Sequence, residues 1–150
     1  MSKGKAFFVV GHKNWGKSKT LRALTDGRLS QTWEIESILF VIKRMSNDDI
    51  DLTDFINELD PAVTPRVILA LCPTFDDKEL PVQDLLTPMR RKYELFFFVL
   101  RHKCNNPKST IPDDEIDRLG RYGTVQVLGS EGDKPQVIAE AFKSFVKRHV

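Results

Sequence analysis

Residues 11–18 read Gly11-His12-Lys13-Asn14-Trp15-Gly16-Lys17-Ser18, which is the pattern G-x-x-x-x-G-K-S. An apolar run over 6–10 precedes this segment, and a helix-like stretch over 20–24 follows it. A strand, a glycine-rich turn and a helix in this order are typical of a phosphate-binding loop (P-loop), whose backbone N–H groups surround phosphate oxygens. The pattern therefore predicts one class of ligand, a polyphosphate bound together with Mg²⁺.

Each position of the loop has a physical role. Gly11 lets the chain leave the strand in a conformation that a Cβ atom would hinder, and Gly16 lets the backbone approach a phosphate closely. The helix beginning near Gly16 adds the positive end of its dipole. We expect Lys17 to be the catalytic cation on the β- and γ-phosphates and the Ser18 hydroxyl to bind Mg²⁺. The other residues predicted to contact the nucleotide are His12, Lys13, Asn14, Trp15 and Lys19.

Length and composition predict one globular domain that spans residues 1–150. The chain is 41% hydrophobic and 29% charged, and its net charge of +2 does not indicate a nucleic-acid partner. We expect six basic residues to cluster near the loop, which either an anionic ligand or an ordinary solvated surface would explain: Lys3, Lys5, Lys13, Lys17, Lys19 and Arg22. The first residues do not resemble a signal peptide, and the longest apolar run, 95–100, is too short for a bilayer. We therefore expect a cytoplasmic protein without a membrane partner.

Strand and helix signals alternate along the chain. The strands are continuous apolar runs, which predicts a mostly parallel sheet covered on both faces, and thus a three-layer α/β fold. Ligands of such sheets bind at the carboxyl ends of the strands, where the loop lies. Predicted strands are 5–10, 66–72, 94–102 and 124–128, and 32–42 is one long strand or a hairpin turning near 36–37. Predicted helices follow the loop and cover 51–59, 81–93, 112–120 and the segment after 133, whereas 103–111 is expected to be a polar loop.

The loop and the order of these elements resemble the P-loop nucleoside-triphosphatases, and most of all their small GTPase-like branch. The resemblance spans nearly the whole chain if 32–42 is a hairpin. It implies a P-loop NTPase fold with a mostly parallel central sheet, which binds Mg²⁺ with ATP or GTP. Asn14 occupies the loop position whose residue helps to hold a monovalent cation in some bacterial GTPases.

The sequence departs from the GTPase pattern at two motifs. The family's D-x-x-G motif has no counterpart in 43–49, which contains no glycine. Its guanine-reading N-K-x-D motif corresponds to His102-Lys103-Cys104-Asn105, where an amide replaces the acid. Ser130 matches a serine that the family has after its last strand. The choice between ATP and GTP therefore stays open.

The acid that orients Mg²⁺ is the least defined part of the site. P-loop enzymes place an Asp at the end of a neighbouring strand, but neither 67–72 nor 95–100 ends in one. Asp48 and Asp49 are the predicted metal ligands, and Asp76 and Asp77 are the weaker pair. The alternative role of Asp48 and Asp49 is to provide favourable charge at the start of a helix.

Three functions are compatible with this pattern. The leading hypothesis is a small Mg²⁺-dependent NTPase, in which water attacks the γ-phosphate. In the second, a kinase, Arg101 clamps phosphate, and the basic segment from Arg101 to Lys108 forms a lid. The third is a nucleotide-binding or scaffold protein without turnover. The acidic stretch 48–60 is a possible surface for a protein partner.

Overall fold

The computed structural model describes residues 3–11, 17–24, 32–35, 37–43, 60–71, 82–100, 102–103, 106–128 and 135–149. The strands are β1 (Gly4–Val10), β2 (Thr32–Ile35), β3 (Ile38–Lys43), β4 (Arg66–Leu71), β5 (Tyr93–Leu100), β6 (His102–Lys103), β7 (Asn106–Thr110) and β8 (Gly123–Leu128). The helices are α1 (Lys17–Leu24), α2 (Gln83–Lys92), α3 (Asp113–Gly120) and α4 (Pro135–His149).

Six strands form one sheet in the order β2-β3-β4-β1-β5-β8. The β2–β3 pair is antiparallel, and the other neighbouring pairs are parallel, so the predicted mostly parallel sheet is confirmed. Segment 32–42 is a hairpin rather than one long strand. Ser37 lies in its turn with a φ of 66°, in the left-handed region that turns require.

The side chains of β1 alternate between two core clusters on opposite faces of the sheet. Phe8 and Val10 belong to a cluster that includes residues of α2 and α3, whereas Phe7 and Val9 belong to a cluster with α1 and α4. All of these side chains are fully buried. Helices on both faces explain why the strands read as continuous apolar runs. The described elements thus form an α/β structure compatible with three layers.

Most predicted elements in the described residues are confirmed, with boundaries shifted by a few residues. The segment 103–111 was predicted to be a polar loop, but this prediction is wrong for 106–110. Asn106–Thr110 pairs antiparallel with His102–Lys103 in a separate two-stranded sheet. Strand β7 reads Asn-Pro-Lys-Ser-Thr and contains no alternating apolar side chains, and its register with β6 is irregular. The sequence therefore gave no strand signal here. The strand predicted over 94–102 ends at Leu100.

The helix predicted over 81–93 is confirmed as α2. Pro88 lies inside this helix, which continues beyond it to Lys92. The predicted helix over 51–59 lies outside the described residues. Among the residues that the structure describes, no helix combines the length and apolar character needed to cross a membrane.

Candidate functional site

Gly11 brings the chain to the carboxyl edge of the sheet. It follows β1 directly, and its backbone N–H donates a hydrogen bond to the carbonyl oxygen of Leu71 at 3.0 Å. Leu71 is the last residue of β4, which pairs with β1 in parallel. The loop therefore starts from the adjacent carboxyl ends of two central, buried strands.

Helix α1 returns from this edge along one face of the sheet. Its residues Leu21 and Leu24 are buried in the same cluster as Phe7 and Val9 of β1, and the helix also contacts α4. A helix that follows a strand and packs back over it has its amino end at the strand's carboxyl end. The amino end of α1 thus lies at the edge that Gly11 reaches. The strand and the helix predicted to flank the loop are both confirmed.

The sheet has a topological switch point beside β1. The chain leaving β1 continues to the hairpin β2–β3 on one side of the sheet, whereas the chain leaving β5 continues to β8 on the other. Ligands of open α/β sheets bind in the crevice outside the carboxyl ends of strands at such a point. Val10 pairs with Val99 there, one residue before the end of β5. Both Gly11 and position 101 therefore follow strands that border this crevice.

The first turn of α1 contains Lys17 and Lys19. It has no acidic residue, as is also the case for α4, whereas α2 begins with Asp84 and α3 with Asp113, Asp114 and Glu115. A helix amino end carries a partial positive charge, so lysines there are unfavourable and acids are favourable. A bound anion would reverse this penalty for α1.

The predicted site residues are only partly covered by the described structure. Gly11 is placed at the end of β1, and the backbone of Lys17, Ser18 and Lys19 forms the first turn of α1. The residues outside the described part are His12, Lys13, Asn14, Trp15, Gly16, Asp48, Asp49 and Arg101. The structure therefore brings together the two ends of the loop and leaves the metal ligands and Arg101 as predictions.

The strand order bears on the missing acid. Asp48 and Asp49 follow β3, which is separated from β1 by β4 and hence by about 10 Å at the usual strand spacing. Asp76 and Asp77 instead follow β4, the direct neighbour of β1. Sequence reasoning ranked the pairs the other way, because the order of strands in a sheet is not visible in local patterns.

The expectation that Lys3 and Lys5 cluster near the loop is wrong. They lie at the amino end of β1, where the strand rise of about 3.3 Å per residue puts Lys5 about 20 Å and Lys3 about 26 Å from Gly11. The Lys3 ammonium donates to the carbonyl oxygen of Arg90 at 2.7 Å, and that of Lys5 to the carbonyl oxygen of His149 at 2.6 Å. Both cations interact with the negative ends of helices, α2 and α4.

A second group of polar residues surrounds the amino edge of the sheet, which the sequence reasoning did not single out. Tyr93 is buried there, and its hydroxyl donates to the carbonyl oxygen of Thr64 at 2.8 Å. Burial, with a smaller contribution from Asp60, raises the pKa of Tyr93 from 10.0 to about 12. Tyr93 directly follows the basic segment Arg90-Arg91-Lys92 at the end of α2.

Comparison with known proteins adds no assignment to this geometry. No protein-family model matches the chain, and no curated protein matches it significantly.

Proposed function

We propose that this protein is a member of the P-loop nucleoside-triphosphatase superfamily that binds Mg²⁺ with a nucleoside triphosphate at the carboxyl edge of its sheet. The observation that supports this most is the path from β1 through Gly11 to the start of α1 at Lys17. These elements flank the sequence G-x-x-x-x-G-K-S on both sides, as a phosphate-binding loop requires.

The leading reaction is hydrolysis. In this mechanism the loop amides and Lys17 bind the β- and γ-phosphates, and Ser18 binds Mg²⁺. A water oxygen attacks the γ-phosphorus and its proton passes to a γ-phosphate oxygen, while the bond to the bridging oxygen breaks and the nucleoside diphosphate leaves with that electron pair. Asn14 and Trp15 are proposed contacts of the nucleotide, and Arg101 is proposed to stabilise charge on the transferred group.

The GTPase-like branch is a finer proposal, which rests on the order of elements along the chain. The segment 102–105, which corresponds to the guanine-reading motif of that branch, has an amide in place of the acid. We therefore propose the superfamily and its ligand class without choosing between ATP and GTP. The cytoplasm is the proposed compartment.

A kinase is the second candidate, and the β6–β7 sheet is the observation that favours it. This small sheet begins at His102, two residues after β5 ends at the switch-point crevice. A hairpin that leaves a strand at this edge is suitably placed to cover a phosphate acceptor. In this case the γ-phosphate passes to a hydroxyl or phosphate oxygen of a second substrate instead of to water.

Calorimetric titration with ATP, GTP and XTP analogues in Mg²⁺ tests the ligand class. We expect the Lys17→Ala variant to bind the preferred nucleotide at least about tenfold more weakly, since a hydrogen bond to a charged group contributes about 1.5–3 kcal/mol. Arg22→Ala is the matched control, because Arg22 is exposed on the same helix. Equal affinity of wild type and Lys17→Ala would refute the proposal.

Phosphate release then separates the reactions. A hydrolase releases phosphate without an acceptor and loses this activity in Lys17→Ala. A kinase shows little release until an acceptor is added. Binding without turnover above the Lys17→Ala background identifies a nucleotide-binding protein that does not hydrolyse its ligand.

A further inference from the structure

A cavity of about 570 Å³ opens at the amino edge of the sheet, opposite the P-loop. It lies where β1, β5 and β8 begin, next to the carboxyl end of α2. Its wall includes Lys3, Lys5, Arg90, Glu94, Tyr122 and Thr124. The volume falls in the range of pockets that bind small molecules.

The wall of this cavity is positively charged. It carries three cations, Lys3, Lys5 and Arg90, and one carboxylate, Glu94, so its formal net charge is +2. The negative ends of α2 and α4 reach the same edge, but each carries only about half an elementary charge. Arg91 and Lys92 of α2 and Lys147 and Arg148 of α4 are further cations in the last turns of these helices, which offsets the dipoles. The cationic side chains therefore determine the sign of the local field.

The cations are held in place and still have donors available. Lys3 and Lys5 each donate to one helix carbonyl, at 2.7 and 2.6 Å, whereas an ammonium group has three donors. The Arg90 guanidinium lies over the ring of Tyr122, 5.7 Å from its centre. This contact uses the flat face of the Arg90 guanidinium. Among the described residues, none accepts a hydrogen bond from the N–H groups at the edge of this guanidinium. Pre-positioned donors reduce the ordering entropy that a ligand must overcome.

We propose that this cavity binds a compact small molecule that carries a phosphate dianion. The formal net charge of +2 matches a phosphate dianion, and the N–H edge of Arg90 together with the ammonium of Lys3, which contacts the Arg90 carbonyl oxygen, suits its oxygens. The Thr124 hydroxyl and the Tyr122 ring would contact the organic part. The polar, cationic wall does not suit an apolar ligand. The site is about 20 Å from Gly11, given the length of β1, and is separate from the proposed nucleotide site.

Amide NMR titration with inorganic phosphate and then pyrophosphate tests this proposal. The Lys17→Ala variant serves as the background, so that binding at the P-loop does not contribute. We expect saturable shifts at residues 93–95 and 122–124. Adding Arg90→Ala should weaken the affinity at least about tenfold, because it removes a charge-assisted contact.

Arg91→Ala is the matched control, since Arg91 is the next residue on α2 and does not line the cavity. We expect it to change affinity less than about threefold through long-range charge alone. Lys3→Met is a second test if Arg90→Ala does not fold. The proposal is overturned by shifts that do not saturate, by equal losses in Arg90→Ala and Arg91→Ala, or by binding of oligonucleotides without any binding of pyrophosphate.

Discussion

The ammonium of Lys5 donates a hydrogen bond of 2.6 Å to the carbonyl oxygen of His149, joining the first strand to the last helix. The same ammonium lies 5.8 Å from the centre of the Phe96 ring. The centres of the Phe96 and His149 rings are 5.1 Å apart. We expect Lys5→Met, which keeps the apolar stem, to lower the free energy of unfolding by about 1 kcal/mol, because the helix end loses its cation and a donor. Urea unfolding measures the loss.

Lys147→Met is the control for this prediction, since Lys147 is exposed in the same last turn. We expect it to change stability by less than about 0.5 kcal/mol. Equal effects of the two substitutions would show that the Lys5 contact has no special role.

Phe7 is the centre of the aromatic packing beneath α1 and α4. Its ring is fully buried and stacks on that of Phe96 at 4.7 Å, and Phe145 meets it edge-on at 6.1 Å. We expect Phe7→Ala to destabilise the fold by about 3–5 kcal/mol through lost burial and a cavity. Leu39→Ala, at a side chain that is 56% exposed, should change it by less than about 1 kcal/mol. Thermal unfolding compares the two.

Gly123 is required by the close approach of β8 to β5. A Cβ atom there would overlap the carbonyl group of Leu95. We expect Gly123→Ala to destabilise the protein by about 1–3 kcal/mol, because the two strands must move apart. Gly120→Ala is the matched control, since its Cβ would meet nothing nearer than Val125 at 4.0 Å. If both variants unfold at the same denaturant concentration, the close approach does not limit the choice of residue.

Tyr93 makes stability depend on pH in the alkaline range. Its pKa in the folded protein is raised to about 12 by burial, and by the charge of Asp60, from an ordinary value of 10.0. Between pH 10 and about 12 the folded state thus retains a proton that the unfolded state loses. The stabilisation by protonated Tyr93 is therefore complete below pH 10 and is lost as pH rises through about 12. The loss is on the order of 3 kcal/mol, since the pKa differs by about two units and each unit corresponds to about 1.4 kcal/mol.

Tyr93→Phe should flatten this alkaline decline and cost about 1 kcal/mol at neutral pH through the lost hydrogen bond to Thr64. Tyr122→Phe leaves Tyr93 as the remaining phenol of the chain, which contains two tyrosines. Phenolate absorbance of that variant then reports Tyr93 directly. Titration near pH 10 in the folded state would contradict the prediction.

The strand order predicts which acids assist Mg²⁺ at the proposed nucleotide site. We expect the double variant Asp76→Asn with Asp77→Asn to reduce the Mg²⁺-dependent part of nucleotide affinity at least about tenfold, since a carboxylate near the metal contributes a charged contact. Asp48→Asn with Asp49→Asn should have the smaller effect, because β4 separates β3 from β1. Titrations with and without Mg²⁺ make the comparison, and the reverse ranking would restore Asp48 and Asp49 as the ligands.

The described elements were predictable where the signal is local. The apolar runs of β1, β4 and β5 and the loop glycine at position 11 indicated a buried parallel sheet with a ligand edge. The spatial order of the strands was not predictable, because parallel pairing joins segments distant in sequence through the packing of whole faces. Lys3 and Lys5 were misplaced for a related reason: proximity in sequence to Gly11 does not mean proximity in space when a strand separates them.

The amino-edge cavity was also invisible in the sequence. Its cations come from β1 and α2, and the carbonyl groups that hold the two ammonium groups belong to Arg90 and His149. No local pattern joins residues that are 87 and 144 positions apart. An arginine run at a helix end followed by a strand was the available signal, and it has an ordinary explanation in the helix dipole.

The contact of Lys5 with His149 also decides how the protein should be immobilised. Because both ends of the described chain lie at the amino edge, a tether attached next to either one holds the molecule by that edge. The carboxyl edge then faces the solution, so binding at the proposed nucleotide site can be tested on a sensor surface without obstruction. The same tether lies beside the cavity at the amino edge, so binding there should be measured on untagged protein in solution.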